Sequence, residues 1–111
     1  MSSLSNEIIV IASHEGEPII KKFINEKGLN VKVVGIENSL GTADSVLAAE
    51  SHINNNSDIL IIWGDQIGIE KESLEKLINL HMEKKSVFSL PTIIKKMPYI
   101  HFERDTVGDI I

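Results

Sequence analysis

Three short segments hold the residues that could do chemistry: His14-Glu15-Gly16-Glu17, Leu40-Gly41-Thr42-Ala43-Asp44 and Gly64-Asp65-Gln66. Asp65 follows an apolar run and a glycine. A carboxylate held there at the rim of a rigid element, with no side chain on Gly64 to block a ligand, suits Mg²⁺. That ion takes one or two protein carboxylates and fills its remaining positions with water and phosphate oxygens. Asp65 could equally cap a following helix or close a turn. Leu40, Gly41 and Thr42 stand just before a helical pattern, so their backbone N–H groups could receive a phosphate or a polar base edge. The alternative is that Thr42 simply caps that helix. Trp63 could flank a ligand with its indole or belong to the core.

Other chemistries find no support in the sequence. It contains no G-x-x-x-x-G-K-[ST] and no G-x-G-x-x-G, so neither a Walker loop nor a dinucleotide fingerprint is present. With no cysteine, thiolate nucleophiles and Cys-ligated metals are excluded. The four histidines, His14, His52, His81 and His101, are scattered without metal-ligand or triad spacing. Eleven basic against sixteen acidic residues give a net charge of −5, the opposite of the footprint that draws a protein to a nucleic-acid backbone. No apolar run approaches the ~20 residues that span a bilayer, and no basic n-region precedes the first one. The expectation is a cytoplasmic protein with neither nucleic acid nor membrane as partner.

The elements that must position these segments follow from periodicity. With 42% hydrophobic residues, the 111-residue chain is expected to fold as one domain. Residues 7–12 (EIIVIA) are a continuous β-branched run, as in a strand buried on both faces. Pro18 near a helix start, the stripe Ile19, Ile20, Phe23 and Ile24, and the stop Gly28 predict an amphipathic helix. Residues 31–34 predict a second strand. A helix led by Thr42 and carrying Val46, Leu47 and Ile53 follows, and residues 58–63 (DILIIW) predict a third strand. A further helix has Leu74, Leu77, Ile78 and Met82 on one face, and residues 86–94 predict one more strand or strand pair. Residues 99–103 alternate like a hairpin arm, residues 105–109 hold a turn glycine, and Ile110 begins the returning arm. Strands separated by helices imply an α/β fold with a parallel sheet, whose ligand loops gather at the carboxyl ends of the strands.

The strand followed by SHEGE, then ENSLGTADSVLAAE, then DILIIWGDQ with IEKESLEKLINLH after it, resembles the sugar-phosphate nucleotidyltransferases, from about residue 7 to residue 103. The N-acetylglucosamine-1-phosphate uridylyltransferases are nearest; other pyrophosphorylases and molybdopterin cytidylyltransferase-like proteins come next. The resemblance implies a three-layer α/β/α, Rossmann-like (GT-A-like) sheet. It assigns Leu40, Gly41 and Thr42 to the nucleotide base and ribose, and Trp63 and Gly64 to the nucleotide and sugar. Asp65 becomes the catalytic carboxylate that holds Mg²⁺. The implied reaction is attack of a sugar 1-phosphate oxygen on the α-phosphorus of an NTP, with pyrophosphate leaving. Such chemistry relies on alignment and charge compensation and needs no protein nucleophile. The partners implied are an NTP and a phosphorylated small-molecule acceptor.

The family's L-x-A-G-x-G-T-R-M triphosphate loop is not among these residues, and Ile36-Glu37-Asn38 stands where the uridylyltransferases carry their uracil-reading glutamine. Base choice is therefore open. The expectation is an internal part of such a domain, truncated at both ends, inactive alone, and a possible homo-oligomer. The rival readings are a non-catalytic nucleotide- or sugar-binding module and a flavodoxin-like interaction domain. In the family a further strand lies between those read here as 7–12 and 58–63. Without it the sheet must close by direct pairing of these two, by a strand from another copy, or by residues outside this sequence.

Overall fold

The structure, a computed structural model, describes residues 7–94, 96 and 102–110. The elements run in the order β1 (Ile9–Ser13), α1 (Glu17–Lys27), β2 (Lys32–Ile36), α2 (Thr42–Leu47), a 3₁₀ turn (Glu50–His52) and α3 (Lys71–Lys84). The chain divides into two compact units, Met1–Lys71 and Glu72–Ile111.

In the first unit, β1 and β2 pair in parallel with Ile9 opposite Lys32 and Ser13 opposite Ile36. A parallel pair needs a crossover, and α1 supplies it, packing on both strands. The pairing extends one residue past each end, through Lys32 N–H to the Ile8 carbonyl and His14 N–H to the Ile36 carbonyl, each at 2.9 Å. Ala12 of β1 and Ile24 of α1 are buried, as is Ala49 after α2. Ile20 is half-buried beside them, while Ile19 and Phe23, expected on the same stripe, are exposed. Gly35 keeps α1 close. A Cβ there would run into the Glu17 carboxylate, which lies over β2 while pairing with Lys21 Nζ at 2.5 Å.

Several expected elements end differently. The second helix stops at Leu47, because its last hydrogen bonds shorten from four residues to three. Ala49 N–H reaches the Val46 carbonyl at 3.0 Å and His52 N–H the Ala49 carbonyl at 2.8 Å, the spacing of a 3₁₀ turn. Ile53 is extended rather than helical. The strand expected over residues 58–63 joins no ladder among the described residues, and neither do residues 86–94. Direct closure of the sheet by pairing residues 58–63 with β1 is therefore not what is found. Among the described residues the expected α/β class is found, as a two-stranded parallel sheet with helices. β-branched composition favours an extended backbone, but only a second backbone makes it a strand.

The second unit holds α3, on which Leu74 is buried, Leu77 and Ile78 are half-buried and Met82 is exposed. The returning hairpin is found as an antiparallel bridge between Arg104 and Ile110. Asp105 organises its turn by accepting from the N–H groups of Val107 and Asp109, both at 2.9 Å. Most of the arm expected over residues 99–103 lies outside the described residues. No described helix is long and apolar enough to cross a membrane.

Both long helices end in the same closure. At α1, Gly28 N–H reaches the Asn25 carbonyl and Leu29 N–H the Ile24 carbonyl; at α3, Lys85 and Ser86 do the same to Met82 and His81. The residue in the left-handed region is Gly28 at φ 62 in the first case and Lys85 at φ 49 in the second. Two substitutions should thus move stability in opposite directions. Gly28→Ala meets open space yet lowers it by about 1 kcal/mol through backbone strain, and Lys85→Gly raises it by up to about 1 kcal/mol. Chemical denaturation midpoints of the two variants check both signs.

Candidate functional site

The two loops that carry the expected site residues lie in the first unit: residues 37–41 leave the carboxyl end of β2, and residues 64–66 follow the 58–63 run. Leu40, Gly41, Thr42, Trp63, Gly64 and Asp65 are all exposed. No hydrogen bond or ion pair joins the 40–42 loop to Asp65 among the described residues.

The first loop is built from its own side chains. Gly41 is the N-terminal cap of α2, at φ 148, where a residue without Cβ is favoured, and no side chain caps the helix in the ordinary way. Asp44, one turn in, reaches back so that its Oδ2 accepts the Leu40 N–H at 3.1 Å. Ser39 Oγ accepts the Gly41 N–H at 3.2 Å and lies 2.7 Å from Ser45 Oγ, which in turn donates to the Gly41 carbonyl at 3.2 Å. Two expectations change as a result. Thr42 is not the cap: it is the first helical residue, and its hydroxyl has no partner among the described residues. Nor does the loop offer all its amides, because those of Leu40 and Gly41 are already satisfied internally. What it presents outward is the Leu40 side chain, the bare Cα of Gly41 and the Thr42 hydroxyl.

The second loop closes differently. Trp63 N–H donates to Gln66 Oε1 at 3.1 Å, and Gln66 N–H donates to the Trp63 carbonyl at 3.0 Å. Gln66 therefore does the turn-closing that sequence left open to Asp65. The first residue of α3 is Lys71, so Asp65 is too far ahead of it to be its cap. The Asp65 carboxylate carries neither hydrogen bond nor ion pair among the described residues. Trp63 is not core; about half of it is accessible.

A single unengaged carboxylate fits a hydrated Mg²⁺, which keeps most of its water and needs few protein oxygens. It does not fit a metal that demands a full protein cage, and no group of three or more His, Asp or Glu side chains gathers among the described residues. Sequence reasoning missed Ser39 and Ser45, and it named Asp44 and Gln66 in their segments without foreseeing that they hold the two loops. The signal for Asp44 was available, since an acid three residues after a cap is half of a capping box. It also missed the 2.9 Å hydrogen bond between His81 Nδ1 and Ser89 Oγ in the second unit, which joins α3 to the segment after it.

The model of the family described as nucleotidyl transferase matches residues 1–98. The chain is similar to the bifunctional protein GlmU of Thermoanaerobacter pseudethanolicus, 30% identical over 109 residues that cover 96% of this chain and 23% of that protein. It is similar to that of Fervidobacterium nodosum at 32% identity over 92 residues, 83% of this chain and 20% of that protein. For Alkaliphilus metalliredigens the identity is 35% over 83 residues, 75% of this chain and 17% of that protein. The chain thus spans about a fifth of the length of the curated relatives it matches. No solved structure matches. A family match over residues 1–98 of 111, with the Leu40-Gly41-Thr42 and Gly64-Asp65 segments both inside it, means that this chain belongs to the nucleotidyl transferase family.

Proposed function

We propose that this chain forms part of the nucleotide site of an enzyme that transfers a nucleoside monophosphate from an NTP to a sugar 1-phosphate or similar phosphate acceptor, releasing pyrophosphate. The observation that carries this reading is the unengaged, exposed carboxylate of Asp65 beside the side-chain-free Gly64, in a chain of this family.

Each residue then has a task set by its chemistry. Leu40 offers apolar contact to the face of a base, and Gly41 allows the base to approach the backbone. The Thr42 hydroxyl hydrogen-bonds a polar edge of the base or the ribose. Ser39, Asp44 and Ser45 do not touch the nucleotide; they hold the loop in shape by satisfying its amides, which limits the motion the ligand must arrest. Trp63 lines the site with the exposed part of its indole. Asp65 would hold Mg²⁺, which when bound offsets the charge of the phosphates in a displacement that depends on alignment.

The reading is tested by titrating the chain with each common NTP and Mg²⁺ and following backbone amide resonances. Shifts should appear in both the 40–42 and 63–65 loops for at least one nucleotide. Asp65→Asn should weaken the Mg²⁺-dependent binding at least ~10-fold while leaving the fold intact. Shifts confined to other segments, or equal binding by the variant, overturn it.

Thr42→Ala and Asp44→Ala should separate binding from scaffolding. Thr42→Ala costs less than about 0.5 kcal/mol of stability but weakens nucleotide binding; Asp44→Ala costs about 1 kcal/mol because the Leu40 N–H loses its partner. Denaturation and nucleotide titration of the same two variants check the split. By itself the chain should show no pyrophosphate exchange between any common NTP and a sugar 1-phosphate, because its residues include no basic glycine-rich loop to orient a triphosphate. Radiolabelled pyrophosphate incorporation above background would contradict this.

A further inference from the structure

Two segments of this chain share one pattern. Asp65-Gln66-Ile67-Gly68-Ile69 and Asp105-Thr106-Val107-Gly108-Asp109 each set an aspartate two residues before a β-branched residue, with a glycine next. Both glycines lie in the left-handed region, Gly68 at φ 81 and Gly108 at φ 97. An aspartate at the head of such a segment is in reach of the amide two residues on. Asp105 takes it: its Oδ1 accepts from the N–H groups of Val107 and Asp109, and its carbonyl accepts the Gly108 N–H at 3.2 Å. Asp65 behaves differently. Among the described residues its carboxylate accepts neither the Ile67 nor the Ile69 N–H, and its carbonyl accepts nothing from Gly68.

The residue after each aspartate accounts for the difference. Gln66 holds both backbone groups of Trp63, its Oε1 accepting the Trp63 N–H at 3.1 Å and its own N–H donating to the Trp63 carbonyl at 3.0 Å. Those bonds close the turn over residues 63–66, ahead of the position that the 105–108 turn takes in its own segment, and they leave Gly64 and Asp65 at the tip. Thr106 has no such reach, because its hydroxyl sits on the β-carbon, two carbons short of where a glutamine carries its amide oxygen. A carboxylate that accepts two amides has fewer lone pairs left for a hydrated cation, so the two turns are alternatives for the metal as well as for the backbone.

We propose that Gln66 is a positioning residue for Asp65: by clamping Trp63 it selects the turn at residues 63–66 and keeps the carboxylate free for Mg²⁺. Without the clamp the segment takes the arrangement of residues 105–109, and Asp65 accepts the Ile67 N–H. The proposal rests on the reading of Asp65 as the carboxylate that holds Mg²⁺; the first arm of its test uses no metal.

The test uses the whole chain, first by amide hydrogen exchange. Gln66→Met keeps the length of the side chain and removes its oxygen. In that variant the Ile67 N–H should exchange roughly 5-fold more slowly than in the parent, the factor that one hydrogen bond confers. Adding Asp65→Ala should remove the protection, because the acceptor is gone. Gln66→Glu, with an oxygen at the same reach, should exchange like the parent.

The second arm titrates Mn²⁺, a paramagnetic stand-in for Mg²⁺, and follows broadening of the Gly64 and Asp65 amide resonances. Asp65→Asn should abolish the broadening. Gln66→Met should require roughly 5-fold more Mn²⁺ for the same effect, and Gln66→Glu should respond at least as strongly as the parent. On top of Asp65→Asn, Gln66→Met should change nothing further, since its effect passes through that carboxylate. An Asp65→Asn variant that broadens like the parent overturns the site reading and this proposal together. A lost response in Asp65→Asn beside a parental response in Gln66→Met overturns this proposal alone. So does an Ile67 amide left unprotected by Gln66→Met, which would assign the contrast between the two segments to the pairing of Arg104 with Ile110.

Discussion

Backbone hydrogen bonding decides which parts of this chain become structure. The parallel pairing of β1 with β2 is the interaction on which the first unit depends. It places α1 across both strands, directs the loops at residues 14–16 and 37–41 from one edge of the sheet, and goes with the burial of Ala12 in β1 and Ile24 in α1. The same rule leaves residues 58–63 outside the sheet. They are at least as apolar as β1, yet among the described residues nothing pairs with them. Composition selects an extended backbone; a second row of N–H and C=O groups is needed to hold it.

Carboxylates divide the work of the loops in a similar way. Asp44 and Asp105 each accept from backbone N–H groups close in sequence, and each thereby shapes a turn. Asp65 sits in a loop whose amide is already satisfied by Gln66, so its charge is left facing outward. The distinction between a structural and a ligand-ready aspartate is thus set by which neighbour reaches the amide first. Gln66 has the longer reach and a neutral acceptor, and its presence directly after Asp65 keeps that carboxylate out of the turn.

Burial in this chain is shallow. Ala12, Ile24, Ala49 and Leu74 are the buried apolar residues among those described, and two of the four are alanines. Local devices therefore carry an unusual share of the order: the paired closures at the ends of α1 and α3, the serine and aspartate network before α2, and the aspartate turn at residues 105–109. Each such device contributes on the order of 1 kcal/mol, which is large beside the ~5–15 kcal/mol of a whole domain.

What the sequence determined by itself is what depends on near neighbours. The helix over residues 17–27 and its stop at Gly28, the β-branched strands that became β1 and β2, α3, the turn at residues 105–109 and the exposed Gly64-Asp65 step were all legible from types and spacing. The family match over residues 1–98 agrees with the motif order ENSLGTADSVLAAE then DILIIWGDQ. Tertiary structure alone decided the rest. Whether residues 58–63 and 86–94 would be strands depended on a pairing backbone far away in sequence. Whether Trp63 was core depended on what lay against it. The Leu40 and Gly41 amides were assigned to Asp44 and Ser39 by three-dimensional geometry, because several acceptors within one turn can satisfy the same donor and only geometry chooses among them.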